Sequence, residues 1–228
     1  MLFEPDTGWN YSIGTDVCGR LVEVLSGKSF DVFLQERLFD PLGMSDTGFS
    51  VPDDKISRFA ANYSPTEDGG FELQDDPEMS TYRQHPTFLS GGAGLVSTAS
   101  DYYRFGQMLL NNGTLDGNRI LSRKTVELMT SNHLSGGRSI SESAVPGAVA
   151  GSDMHGYGFG LGFGVLQDVG TAQIAGSPGQ FYWGGAASTL FWVDPVEKMV
   201  LVFMTQLYLG ELPAWQELQV LVNAAIDD

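Results

Sequence analysis

The sequence predicts an α+β chain: a mostly helical region, then part of a small antiparallel sheet, then a closing helix. Three observations predict it. Apolar residues recur at helical spacing in separate stretches before residue 130. From Tyr157 onward the pattern changes to aromatic and β-branched runs punctuated by Gly and Pro, as strands are. Trp215 to Ile226 then returns to helical spacing, with Leu218, Leu221, Val222 and Ile226 on one face. At 228 residues there is length for one large domain or two small ones. We place the change of character between a region spanning 1–156 and one spanning 157–228, together forming one domain.

Thr15 to Leu25 carries Val17, Leu21, Val24 and Leu25 at helical spacing and stops at Ser26-Gly27. Cys18 lies within that pattern and reads as a buried spectator. Ser29 is placed to cap a second helix whose stripe is Phe30, Phe33, Leu34 and Leu38. Asp40-Pro41-Leu42-Gly43-Met44 ends it in a turn. Residues 45–90 are acidic, hold prolines and keep no period, so they read as a long irregular loop, a kind usually functional or clamped over something. Thr98-Ala99-Ser100-Asp101 opens a helix that buries Tyr102, Phe105, Met108 and Leu109 and ends at Asn112-Gly113. Ser122 caps a shorter one with Val126, Leu128 and Met129. Residues 133–156, rich in Gly and Ser, read as loop.

Three runs supply the sheet: Tyr157 to Gln167, Phe181 to Val193, and Met199 to Thr205, read as a meander of three strands. The middle run follows a turn at Pro178-Gly179 and closes at Asp194-Pro195. Its paired glycines, Gly184 and Gly185, mark either a bulge or an edge that offers N–H groups to a ligand oxygen.

Composition excludes several function classes. A net charge of −16 argues against nucleic acid and anionic membrane surfaces as partners. No apolar run is long enough to span a bilayer. The first residues show no basic n-region or h-region, so no leader is expected here and the compartment is left open. With one cysteine there is no internal disulfide. His85, His133 and His155 lie in separate loops without metal-ligand spacing, and no metal or cofactor is expected. Ser12, Ser90 and Ser177 each lie near a motif, but capping and turn roles account for them.

Trp9-Asn10-Tyr11-Ser12, Phe39-Asp40-Pro41-Leu42-Gly43-Met44, Gly91-Gly92-Ala93-Gly94-Leu95-Val96-Ser97-Thr98 and Trp183-Gly184-Gly185-Ala186 occur in this order. Together they resemble the serine β-lactamase-related family, most closely its class C-like carboxylesterase branch, the family VIII esterases. The resemblance spans essentially the whole sequence. It implies a β-lactamase/transpeptidase-like fold and attack on a carboxylic ester, or a β-lactam, by the serine of a Ser-x-x-Lys motif. It also implies roles for particular residues. Tyr11 matches the tyrosine that moves protons with that lysine. Trp183, Gly184 and Gly185 wall the cleft and bind substrate. The N–H of Ala186 shares the oxyanion hole, where such a donor contributes about 3 kcal/mol. A phenol ordinarily titrates near about 10, so it serves as a base only where cations depress it.

The departures are as informative. The lysines are Lys28, Lys55, Lys124 and Lys198, and three positions before them stand Leu25, Pro52, Leu121 and Pro195. Ser-x-x-Lys is absent. So is Gly-x-Ser-x-Gly, which Ala175-Gly176-Ser177-Pro178-Gly179 misses by one position. Ile13 stands where the β-lactamases of this branch carry Asn, which favours esters over lactams. The expectation is therefore an incomplete fold: the C-terminal portion of a serine hydrolase, inactive alone. The alternatives are a non-catalytic binding module and one half of a split enzyme. The apolar run Met199 to Thr205 would be an open strand edge, and self-association through it is expected.

Overall fold

The computed structural model describes residues 3–146, 151, 153–210 and 214–227. Helix α1 (Gly14–Ser26) stops where Gly27 turns left-handed at φ 70° and donates its N–H to the Glu23 carbonyl. The predicted helix is there, but its stripe is not buried. Val17, Leu21, Val24 and Leu25 are 51–84% exposed, and Cys18 is exposed as well, contrary to its reading as a buried spectator. What α1 buries is Gly19, packed against the backbone of Gly91.

Helix α2 (Phe30–Leu34) continues through a π-turn at Gln35–Phe39 into α3 (Asp40–Leu42), which Gly43 ends at φ 64°. Ser29 takes the extended N-cap conformation without making a side-chain cap bond to the helix. Residues 45–90 are less irregular than the sequence suggests. They contain a hairpin of β1 (Asn62–Pro65) and β2 (Phe71–Asp75).

Helix α4 (Ala99–Leu110) is capped by the Thr98 hydroxyl, which accepts the Asp101 N–H, and it buries Met108 and Leu109. Arg104 ties it to the Leu42 carbonyl. A small hairpin, β3 (Thr114–Leu115) with β4 (Asn118–Arg119), follows. Helix α5 (Arg123–Met129) is capped by Ser122 as expected. Inside the predicted loop of 133–156 sits α6 (Ile140–Ser143), held by a capping box between Ser139 and Glu142.

The sheet is larger than a three-strand meander because two of the runs fold back on themselves. Tyr157 to Gln167 becomes β5 (Tyr157–Phe159) and β6 (Gly164–Leu166). A short helix α7 (Val169–Ala172) follows. Phe181 to Val193 becomes β7 (Phe181–Gly184) and β8 (Leu190–Asp194), and β9 (Met199–Phe203) completes five antiparallel strands in chain order. The glycine pair is thus neither a bulge nor a mid-strand edge. It ends β7 and enters the turn to β8.

Pleating sorts the side chains into two faces. Val165, Phe181, Val193 and Val200 are aligned across neighbouring strands and lie over α4, where a Cβ on Gly106 would meet Val200 at 2.7 Å. This face joins Phe39, Leu42, Met44, Met108, Leu109 and Val126 in one core that draws on both sides of the 156/157 division. Helix α8 (Ala214–Ala224) lies on the other face, with the Trp215 ring against Gly184. The helix ends before Ile226, and Leu221 on its expected apolar stripe is 67% exposed.

Candidate active site

Tyr11 reaches the sheet through main-chain bonds on the residues before it. The Trp9 N–H donates to Ser143 at 2.7 Å, and the Trp9 carbonyl accepts from Val145 at 3.0 Å, which fastens this segment beside α6. The aromatic rings then close a circuit. Trp9 stacks on Tyr11 at 6.5 Å, Tyr11 leans on Trp183 at 5.6 Å, Trp183 meets Phe159 at 5.4 Å, and Phe159 returns to Trp9 at 5.3 Å. Trp9 is buried, whereas Tyr11 is 42% exposed. One side of the phenol ring is held by the circuit while the residue stays open to solvent.

The loop Gly91-Gly92-Ala93-Gly94 lies against the first turn of α1, three residues past Tyr11. A Cβ on Gly91 would lie 2.1 Å from the Thr15 carbonyl oxygen, and one on Gly92 would lie 2.8 Å from the Thr15 hydroxyl. Only glycine permits that approach. The Ser90 hydroxyl bonds Asp16 and accepts the N–H groups of Gly92 and Ala93. This is the turn role its sequence context suggests. Ser12 is exposed and Ser177 buried.

At the end of β7, Gly185 donates to the Thr189 carbonyl at 2.9 Å and Ser188 donates to Gly185 at 3.0 Å. Ala186 sits in the turn between them. Its carbonyl accepts from Leu209 at 2.7 Å, while its N–H, on an exposed residue, meets no acceptor among the described residues. Two side chains that the sequence does not single out fix this turn. The Ser188 hydroxyl, on a residue 4% exposed and left-handed at φ 58°, donates to the carbonyls of Leu207 and Gly210. The Thr205 hydroxyl bonds the carbonyls of Ala187 and Ser188. Neither belongs to a motif, and only the fold reveals them.

The structure therefore brings Tyr11 against Trp183, with Gly184, Gly185 and Ala186 following directly along the chain. A Cβ on Gly184 would meet the Trp215 ring at 2.9 Å, and one on Gly185 would meet the Thr189 hydroxyl at 2.3 Å. Their small size admits the helix and the turn. His85 is paired with Asp31 at 2.9 Å, His133 with the Leu128 carbonyl at 2.7 Å, and His155 is exposed.

A helical layer against an antiparallel sheet with a C-terminal helix, together with these four motifs, matches known proteins. The beta-lactamase family profile matches residues 1–220, and the chain belongs to that family. Protein Rv1367c of Mycobacterium tuberculosis is 33% identical over 209 residues, covering 90% of this chain and 50% of that protein. Lovastatin esterase of Penicillium rubens is 31% identical over 207 residues, covering 84% and 49% respectively. Among solved structures, EstCE1, a hydrolase with promiscuous acyltransferase activity, superposes with a TM-score of 0.78 at 25% identity, over 97% of this chain and 57% of its own. The chain spans about half the length of the curated relatives it matches.

Proposed function

We propose that this chain is the C-terminal portion of a serine hydrolase acting on carboxylic esters through an acyl-serine intermediate, with the attacking serine and its lysine supplied by residues outside these 228. The observation that carries this reading is the packing of Tyr11 on Trp183, which brings the phenol to the end of the strand leading to the Ala186 N–H, unpaired among the described residues. In this reading Tyr11 relays a proton between the serine, the leaving alcohol and water. A lysine beside it supplies the positive charge that such a role needs. The Ala186 N–H stabilises the oxyanion, held in place by Ser188 and Thr205, so no reorganisation is needed as charge develops. The lovastatin esterase among the relatives supports an ester substrate. Ile13, in place of an amide side chain, points the same way.

The exposed stripe on α1 fits the same picture. Burying a Val or Leu side chain stabilises by roughly 1.5–3 kcal/mol, and four such side chains stand uncovered on one helix. A neighbouring Ser-x-x-Lys region that packs there would complete both the fold and the site.

The test is turnover of a p-nitrophenyl butyrate substrate by the 228-residue chain alone, and joined to the region encoded just upstream of Met1. The expected result is no turnover alone and serine-dependent turnover when joined. Continued silence of a folded joined protein would overturn the reading in favour of a non-catalytic binding module.

A further inference from the structure

The β1–β2 hairpin plays no part in the mechanism above, yet it is bonded to the segment that holds the Ala186 turn. The Tyr63 N–H donates to Gln206 at 3.0 Å, and the Tyr63 carbonyl accepts from Tyr208 at 2.7 Å. The adjacent Leu209 N–H is the one that donates to Ala186. Ala186, the 207–209 segment and Tyr63 therefore form three neighbouring lines of backbone. The hairpin is thus one backbone segment removed from the Ala186 turn.

Between the hairpin and that segment lies a cavity of about 360 Å³ lined by Tyr63, Phe71, Thr205, Gln206 and Leu207. Its walls are largely apolar, and two of them are uncovered: Tyr63 is 44% exposed and Phe71 68%. Thr205 belongs to both places, since its hydroxyl holds the Ala187 and Ser188 carbonyls of the Ala186 turn. The cavity thus shares a wall with the candidate oxyanion turn. No charged side chain lines it among the described residues.

We propose that this cavity is a specificity subsite that takes the uncharged alkyl arm of the ester substrate. The inference rests on the ester-hydrolase reading for its biological meaning, but the binding itself needs no nucleophile. An alkyl group gains from leaving water in proportion to the area covered, and Phe71 and Tyr63 offer broad apolar faces to cover it. A longer alkyl arm covers more of the apolar wall formed by Tyr63, Phe71 and Leu207, so the subsite sorts esters by length.

The experiment measures binding of methyl butanoate, methyl hexanoate and methyl octanoate to the 228-residue chain by ligand-detected NMR. Full burial of a methylene tightens binding about fourfold, and a cavity open on one side retains part of that. We expect at least a threefold gain from butanoate to octanoate. Phe71→Asp should abolish the gain and Phe71→Ala should reduce it. Leu25→Asp, on the exposed stripe of α1, should leave it intact and so separates the cavity from general stickiness. Phe71 is mostly exposed, so its replacement is compatible with folding, and an unchanged thermal transition verifies this. Equal affinity for all three esters would overturn the proposal. So would a gain that survives Phe71→Asp or disappears with Leu25→Asp. A length-dependent gain in a chain whose joined form never turns over would refute the hydrolase reading and leave the subsite standing.

Discussion

Tyr11 and Gly91 show what single residues contribute to this site and how far each was legible. Tyr11 stood out through its motif, yet its placement depends on Trp9, Phe159 and Trp183, which are far apart in sequence and join only in the fold. Gly91 belongs to a glycine run in the sequence, and its reason lies in the fold, where a Cβ would meet the Thr15 carbonyl oxygen at 2.1 Å. Gly91→Ala is expected to force α1 and its loop apart and to cost roughly 1–3 kcal/mol. Urea denaturation should show a lower midpoint with an unchanged slope. A midpoint equal to that of the unaltered chain would show that the approach is not needed. Ser188 and Thr205 went unnoticed in the sequence because hydroxyl residues near a strand end have many ordinary uses. Ser188 is further hidden by a left-handed backbone that nothing local dictates.

At the scale of elements, caps and periods were the readable signals. Thr98 and Ser122 cap the helices predicted for them, and Gly27 and Gly43 end theirs in the left-handed conformation. The strands were readable as apolar runs but not as pairs. Gly160-Leu161-Gly162 and Gly184-Gly185 each turn a run back on itself, and a glycine inside a strand pattern does not announce a reversal. The β3–β4 hairpin carried a usable signal, since Asp116-Gly117 with both residues at positive φ is the dipeptide such turns prefer. Helix α1 poses a different problem. Periodicity located its apolar face correctly, but only the structure shows that face to be open. Together with β9, the last strand of the sheet among the described residues, it presents two features through which association is expected. Light scattering should therefore find self-association, and the pair Leu21→Lys and Leu25→Lys should weaken it. A monodisperse monomer of the unaltered chain would contradict this.

For the molecule as a whole, one core spans the helical region and the sheet, so the two should unfold together. Tyrosines on α4 and in the sheet give that stability a pH signature. Burial pushes the phenols of Tyr102 and Tyr157 up to about 12, the latter in spite of a hydrogen bond with Gln219. Burial raises Tyr182 further above its ordinary value, helped by the charges of Tyr157 and Asp153. A raised phenol stays protonated in the fold while the unfolded chain ionises near 10.0. The native state then binds more protons, and stability falls as pH rises. Stability should accordingly be level approaching pH 10.0 and decline toward about 12. Tyr182→Phe should soften the decline, as read from urea midpoints across that window. An unchanged alkaline profile in Tyr182→Phe would show that the buried phenol is not its source.

The architecture was legible because four motifs in one order resemble a known family, and the half-length match to relatives agrees with a fold that continues beyond this chain. In the proposed reaction the Tyr11 hydroxyl takes part in ester chemistry beside the Ala186 amide. The most direct measurement is p-nitrophenyl ester turnover by the chain joined to its Ser-x-x-Lys region, with Tyr11 intact and as Tyr11→Phe. Removing one hydroxyl leaves the aromatic circuit in place, so thermal stability should hold while kcat falls on the order of 10²–10⁴-fold. Full turnover in a folded Tyr11→Phe protein would contradict the account.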